Sequence, residues 1–471
     1  MEILPRLKAC SGSEVEFLLL NAGRVEHIAE VLAQGQLFSV GGVKSIKAYG
    51  YAVCVLPRME IHRDTGIEYL KMETEKEEGT AGLLRKEKAF YLGRVRELLL
   101  SEGAVNVLPK MKLCPDNEMD WLVLRADRKE HVATVSEHPG QVFVGRVKNI
   151  MLYEHAVCVL PRLEIHRDSE VSLLDLRAGR GEHIAGMLGE ENTVCLGRIS
   201  RIVLHGYAVD VLSRMKTSEG VFYMAPASPQ YTAEGLAAAN EKRRRLSGPG
   251  EDKKLFWLEL EADREENVAR ILGKSGAVSA GRFESISLNG YAVGVLPRLG
   301  IQDDCSMGTV NLVAARREHV AGILGEEKTV CVGRIQRLDI REYAVGILPK
   351  IAIHEDCEME SFHLEANREE HVGEILAGEQ MVSLWRIKEL VLHRYAVSIL
   401  PRLEIRKDSI IVRFVLYADT DRHTSVMLAL DDCAVDIGRI RHGGLWIPEE
   451  VKKKLKYTLV DREGNEEMFL E

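Results

Sequence analysis

Seven prolines set the architecture. Pro5, Pro57, Pro109 and Pro161 stand 52 residues apart, and Pro297, Pro349 and Pro401 repeat the interval. Each closes a version of the phrase YAVxVLPRL. The next step after Pro161 lands on Ser213, and from there to Pro297 is 84 residues, one period plus an insertion of 32. A second phrase, REEHVAxIL, alternates with the first. It carries His27, His131, His183, His319, His371 and His423, with Gly79 and Asn267 in the two remaining places. A chain of 471 residues would otherwise suggest two to four globular domains. Self-similarity at a fixed period indicates an array of stacked units instead.

The two halves of a unit differ in texture. In FHLEANREEHVGEIL, Phe362 and Leu364 alternate with polar residues as a half-buried strand does. Asn367 with Glu370, and Asp263 with Glu266, have the spacing of a helix-capping box. Val372, Ile375 and Leu376 then form an apolar stripe at helical spacing. The second half, IKELVLHRYAVSILP, has Ile387, Leu390, Leu392, Val397 and Leu400 as its framework. Pro401 removes a backbone donor, so any helix there is expected to be short or irregular. The strand centres Leu364, Leu392 and Leu416 are separated by 28 and then 24 residues.

The pattern LxxLxLxx(N)xLxxLP is matched from Ile387 to Pro401, with Tyr395 in the asparagine place, where Tyr51, Tyr207, Tyr291 and Tyr343 also fall. Over roughly residues 1–440 the chain resembles the leucine-rich-repeat family, in the alternating form seen in ribonuclease inhibitor. That resemblance implies an α/β solenoid, a horseshoe with a parallel sheet on its concave side and short helices or irregular returns on the convex side. Burial points the same way: one such unit cannot enclose a core, whereas stacked units share a continuous one. The expected organisation is a first repeat block at 1–215 beginning in mid-repeat, with Leu4 and Leu7 uncovered. An inserted flexible loop follows at 216–250, then a second block at 251–440 continuous with the first, and a cap at 441–471. The cap has a helical stretch from Pro448 to Leu455 and a hairpin signal in YTLVDREGNEEMFL.

No catalytic constellation stands out: GxSxG, P-loop and HExxH motifs are absent, so the chain reads as a non-enzyme without a cofactor. The recurrent histidines lie two strands apart along the stack, about 9–10 Å, too far to share a zinc ion with bonds of ~2.1 Å. They read as packing and hydrogen-bonding residues at helix starts, and His62, His166 and His354 likewise read as non-ligands. No metal site is expected. The arginines of the recurring VGR string, such as Arg94 and Arg146, read as surface ion-pairing residues.

A net charge of -9 argues against a broad nucleic-acid surface. Nine cysteines, odd in number and without a CxxC pair, read as reduced residues of an intracellular protein, with Cys54 and Cys158 at one repeat position. Neither a signal peptide nor an 18-residue apolar stretch is visible. A cytoplasmic location without membrane contact is expected. The run Lys242–Arg245 is of the nuclear-import kind and, with Ser247 behind it, of the basophilic phosphosite kind.

Aromatic residues total only 6%. Yet the residue just before the first apolar position of the first-half strands reads Phe17, Tyr69, Trp121, Leu173, Trp257, Thr309, Ser361 and Arg413, aromatic in four of the first five places. The second-half strands add Tyr49 and Tyr153. Aromatic anchors ringed by charge are what protein interfaces use. These six aromatic residues are the expected contact set for an unidentified protein partner on the concave face. Regulation of a small GTPase, or a ubiquitin-ligase adaptor role, are the competing readings that the resemblance brings.

Overall fold

The computed structural model describes residues 14–33, 37–61, 66–75, 78–84, 89–166, 168–188, 194–196, 198–217, 220–221, 223–224, 256–273, 278–279, 283–301, 305–327, 329–384, 386–432 and 434–466. The chain divides into two compact units, Met1–Phe222 and Tyr223–Glu471. Lys242–Arg245 and Ser247 lie outside the described residues, as do His62 and most of the expected insertion.

The long strands of the first unit are β1 (Glu14–Ala22), β2 (Phe38–Gly50), β3 (Ile67–Thr74), β4 (Val95–Glu102), β5 (Glu118–Ala126), β6 (Val142–Glu154), β7 (Leu173–Ala178) and β8 (Arg201–Gly206). Each pairs in parallel with the next. Those of the second unit are β9 (Phe256–Ala262), β10 (Phe283–Gly290), β11 (Ser306–Ala314), β12 (Arg334–Glu342), β13 (Glu358–Ala366), β14 (Arg386–Arg394), β15 (Arg413–Tyr417) and β16 (Leu445–Trp446), again paired in parallel. Each unit is therefore an α/β solenoid stack on a parallel sheet. The pairing keeps the alternation of the sequence: Leu364 faces Leu392, and Leu392 faces Leu416.

This register builds the core. In the first unit Ile46, Leu70, Leu98, Leu122, Ile150, Leu174 and Ile202 form one lateral column and are all fully buried. Two residues along each strand, Ala48, Met72, Leu100, Leu124, Leu152, Leu176 and Leu204 form a second. Each large member contributes roughly 1.5–3 kcal/mol, but only when a neighbouring coil covers it.

The returns are short. YAVCVLPR forms a 3-10 helix at Tyr51–Arg58, and its counterparts include Gly103–Lys110, Tyr343–Lys350 and Tyr395–Arg402. Most carry the repeated proline near their end, where a continuing helix would need its missing N–H. A short strand such as Met59–Ile61 follows and pairs with the start of the preceding long strand.

Two expectations about local bonding are corrected. Asn367 does not cap its helix; its side chain accepts from Arg394, and Arg368 holds the N-cap place. Likewise the cap before Asn267 is Arg264, not Asp263. The bond comes from the recurrent histidine position: Asn267 Oδ1 accepts the Arg264 N–H at 2.9 Å, and His423 Nδ1 accepts the Asp419 N–H at 3.1 Å.

The polar ladder between coils is also present, at another place. Asn117 is fully buried; its Oδ1 accepts the Val95 N–H at 2.8 Å and its Nδ2 donates to Val144 O at 3.4 Å. Cys357 and Ser409 hold the same place in the second unit and bond the backbone of Ile335 and Ile387. A parallel series in the 3-10 helices has Cys54, Cys158 and Ser398 donating to the carbonyls of Gly79, His183 and His423.

The last residue of each second-half strand has a conformation suited to glycine. Gly290 has φ +66°, and a Cβ there would stand 2.3 Å from Ala262 O. Glu102, Glu154, Glu342 and Arg394 nevertheless occupy that place at φ 56–59°, a strain of about 1–3 kcal/mol each. Two of the glutamates tie themselves to the next coil. Glu102 accepts the Asp127 N–H at 3.1 Å and lies 2.7 Å from His131 Nδ1; Glu154 accepts the Gly179 N–H at 3.1 Å and contacts His183.

At the chain end, the stretch read as a cap has its helix at Glu449–Lys452 and a strand at Leu455–Val460 that pairs in parallel with Val435–Arg441. Val460 also bridges Glu466 in the antiparallel sense. The opening of the expected insertion is extended: Lys216–Thr217 pairs with Gly220–Val221. Among the described residues no helix is long and apolar enough to cross a membrane.

Candidate functional site

The strand face turned away from the core presents three lateral columns in the first unit. The first runs Phe17, Ser45, Tyr69, Glu97, Trp121, Asn149, Leu173. The central column runs Leu19, Lys47, Lys71, Leu99, Val123, Met151, Asp175. The third runs Asn21, Tyr49, Glu73, Ser101, Arg125, Tyr153, Arg177. Phe17, Tyr69 and Trp121 thus share a line at every second strand. Tyr49 and Tyr153 belong to a different line, and Trp257 lies on the second unit. Phe17 is 48% and Trp257 47% exposed, whereas Tyr69 and Trp121 are half-buried.

Several of these rings are already engaged by the chain. Lys47 Nζ lies 5.2 Å from the Phe17 ring centre and 5.5 Å from that of Tyr69. Lys71 stands 5.2 Å from Tyr49 and pairs with Glu73 at 2.9 Å. Tyr153 meets the Arg177 guanidinium at 5.8 Å and donates to Met151 Sδ at 3.5 Å. Between Tyr69 and Trp121 the face instead opens into a depression of about 460 Å³. Glu68, Arg96, Glu97 and Asp120 line it too. Lys148 and then Arg96 turn to Asp120 and hold its carboxyl below the usual range. Among the described residues Glu97 makes no hydrogen bond or ion pair.

The VGR arginines are ion-paired. Arg94 meets Asp116, Arg146 meets Glu118 at 3.0 Å, and Arg386, which follows a tryptophan at the same repeat place, meets Glu358 at 2.8 Å. The recurrent histidines pack on the ring that opens the neighbouring 3-10 helix: Tyr291 on His319 and Tyr343 on His371, each at 4.5 Å, and Tyr395 on His423 at 4.7 Å. One pair lies outside the histidine spacing. His155 replaces that tyrosine, so its ring lies 4.5 Å from His183, with the Glu182 carboxylate close enough to complete a three-donor group. The two rings adopt the separation of the Tyr–His pairs, so packing accounts for them. His166 and His354 sit in turns, accepting the N–H of Asp168 and Asp356 through Nδ1.

On the second unit the same face carries a titratable cluster. His393 lies 4.7 Å from His363 and stacks at 4.4 Å on Tyr417. Burial would raise the Asp339 pKa, but hydrogen bonds and charge from His363 and Arg341 outweigh it and hold the carboxyl at about 2. Burial, with His363 as neighbour, pushes His393 below its ordinary value, and burial lowers His319 and His371 as well. All four shifts mean that the folded chain holds fewer protons than the unfolded one. Stability is full above the unfolded pKa values and is lost as pH falls, first below about 6.5 through the histidines and again from about 4 toward 2 through Asp339. The urea midpoint of the second unit should drop in both windows. A midpoint flat from about pH 8 to 5 would contradict the histidine assignment.

No protein-family model matches the chain, and no curated protein or solved structure matches it either.

Proposed function

We propose that this chain is a non-enzymatic interaction scaffold of leucine-rich-repeat type, taking up a protein partner on the outward strand face of its first unit. The observation that carries the reading is the line Phe17–Tyr69–Trp121, aromatic at every second strand, beside an open depression with an unpaired carboxylate. Rigid strands hold these rings at fixed intervals, so a partner pays little ordering cost on this side of the interface. Interfaces concentrate their binding energy in a few aromatic anchors surrounded by polar rims. The ion-paired arginines give the GTPase-regulator reading no specific support.

The test compares proteins captured from the native cell by the wild-type chain, by the double variant Tyr69→Ala/Trp121→Ala, and by Lys129→Ala on the helical side. The aromatic double variant should lose at least about ten-fold of a specifically captured protein, with circular dichroism unchanged, while Lys129→Ala retains it. Equal capture by all three rejects the docking face.

A further inference from the structure

The slot centred on β2 and its successor centred on β4 are the same construction 52 residues apart. In the first, Phe17 and Tyr69 flank Ser45, and the Lys47 ammonium sits over both rings. In the second, Tyr69 and Trp121 flank Glu97, and Leu99 stands where Lys47 stands. Lys71, beside Leu99 in the register, is turned to Tyr49 and Glu73. The second slot thus keeps the two-ring frame, has a leucine where the first has its ammonium, and adds the Glu97 carboxylate, which makes no hydrogen bond or ion pair among the described residues although its charge acts on Arg96. Its lining holds three carboxylates, from Glu68, Glu97 and Asp120, against the single guanidinium of Arg96, which is bound to Asp120.

We propose that the Tyr69–Glu97–Trp121 slot takes an alkylammonium group, the side chain of a lysine or methylated lysine presented by a partner protein. The assignment rests on the docking-face reading above. Ring faces attract cations through their quadrupole, most strongly where the site is partly dry. The first slot demonstrates that two rings at this spacing accept one ammonium between them: Lys47 is within 5.5 Å of both. Glu97 supplies the countercharge that Ser45 cannot, so the second slot favours an incoming cation over a neutral apolar group.

The full chain is titrated with tetramethylammonium chloride while the tryptophan indole N–H resonances are followed by NMR. The neutral, similarly sized tert-butanol serves as control, and Trp121→Phe identifies the Trp121 signal. A saturable shift of that signal in the millimolar range is expected, weakened at least about five-fold in Glu97→Gln. The shift should vanish in Leu99→Lys, which supplies an ammonium where β2 has its own. No shift, an equal response to tert-butanol, or undiminished affinity in Glu97→Gln overturns the proposal. Blocked lysine amides with free, trimethylated or acetylated side chains then separate plain from methylated lysine, and equal binding of the acetylated form also overturns it. If the titration fails while Tyr69→Ala/Trp121→Ala still abolishes capture, the cation is rejected and the docking face stands. If it succeeds while capture is unchanged, the slot stands and the scaffold reading falls.

Discussion

Phe362→Ala is expected to destabilise the second unit by about 3–5 kcal/mol, the range for truncating a fully buried phenylalanine. Phe362 has no exposed surface and lies in register between Leu338 on β12 and Leu390 on β14. Hydrogen bonds fix both neighbouring strands, so the site cannot close by moving them, and most of the ring's volume remains as a void. Coils in a stack stabilise their neighbours, so the defect should spread laterally: amide exchange ought to rise on β12 and β14 as well as on β13. A urea midpoint equivalent to less than about 1 kcal/mol of loss would show that the coil relaxes around the gap.

Asn117→Ala should cost the first unit about 2–4 kcal/mol, since two buried backbone groups lose their partners. The Val95 N–H and Val144 carbonyl both depend on this side chain. Geometry around it leaves little freedom. The Asn117 carbonyl accepts from Arg146 at 2.9 Å, and a Cβ on Gly145 would stand 2.4 Å from that oxygen. Asn117→Ser is the informative comparison, because Ser409 fills the same place and both accepts from and donates to Ile387. The serine variant should recover roughly half of the loss, on the assumption that a hydroxyl reaches one of the two groups. Thermal unfolding of the three proteins checks this. An alanine variant as stable as the parent would mean that water or a backbone shift satisfies both groups.

Much of the architecture was readable because burial imposes it on residue type. Leu364, Leu392 and Leu416 have to be apolar at their separation if successive strands are to share a core, and their pairing follows directly. The proline phrase allowed only a short return, and a 3-10 helix is what forms. The polar ladder was hidden because Asn117, Cys357 and Ser409 share a role without sharing a chemistry. Only their common place in the period could have disclosed it. His155 is hidden for a related reason: it belongs to the tyrosine series, so the spacing within the histidine series does not reveal it. At the candidate site the aromatic line was visible, but its unequal occupancy was not. That required knowing which lysine reaches across the pleat, and the reach of Lys47 depends on side-chain direction.

The two slots lie two strands apart, a pitch of roughly 9.6 Å. A polyproline-type segment advances ~3.1 Å per residue with three residues per turn, so it covers that pitch in three residues and returns the same face to the sheet. A peptide laid across the strands would meet the face as a toothed rack meets a gear: every third side chain falls opposite a ring pair, and the two between fall on the small or charged positions separating them. A docking face of that kind would measure spacing before it read chemistry, and a ligand whose anchors recur at intervals of two or four would slip out of step after its first contact.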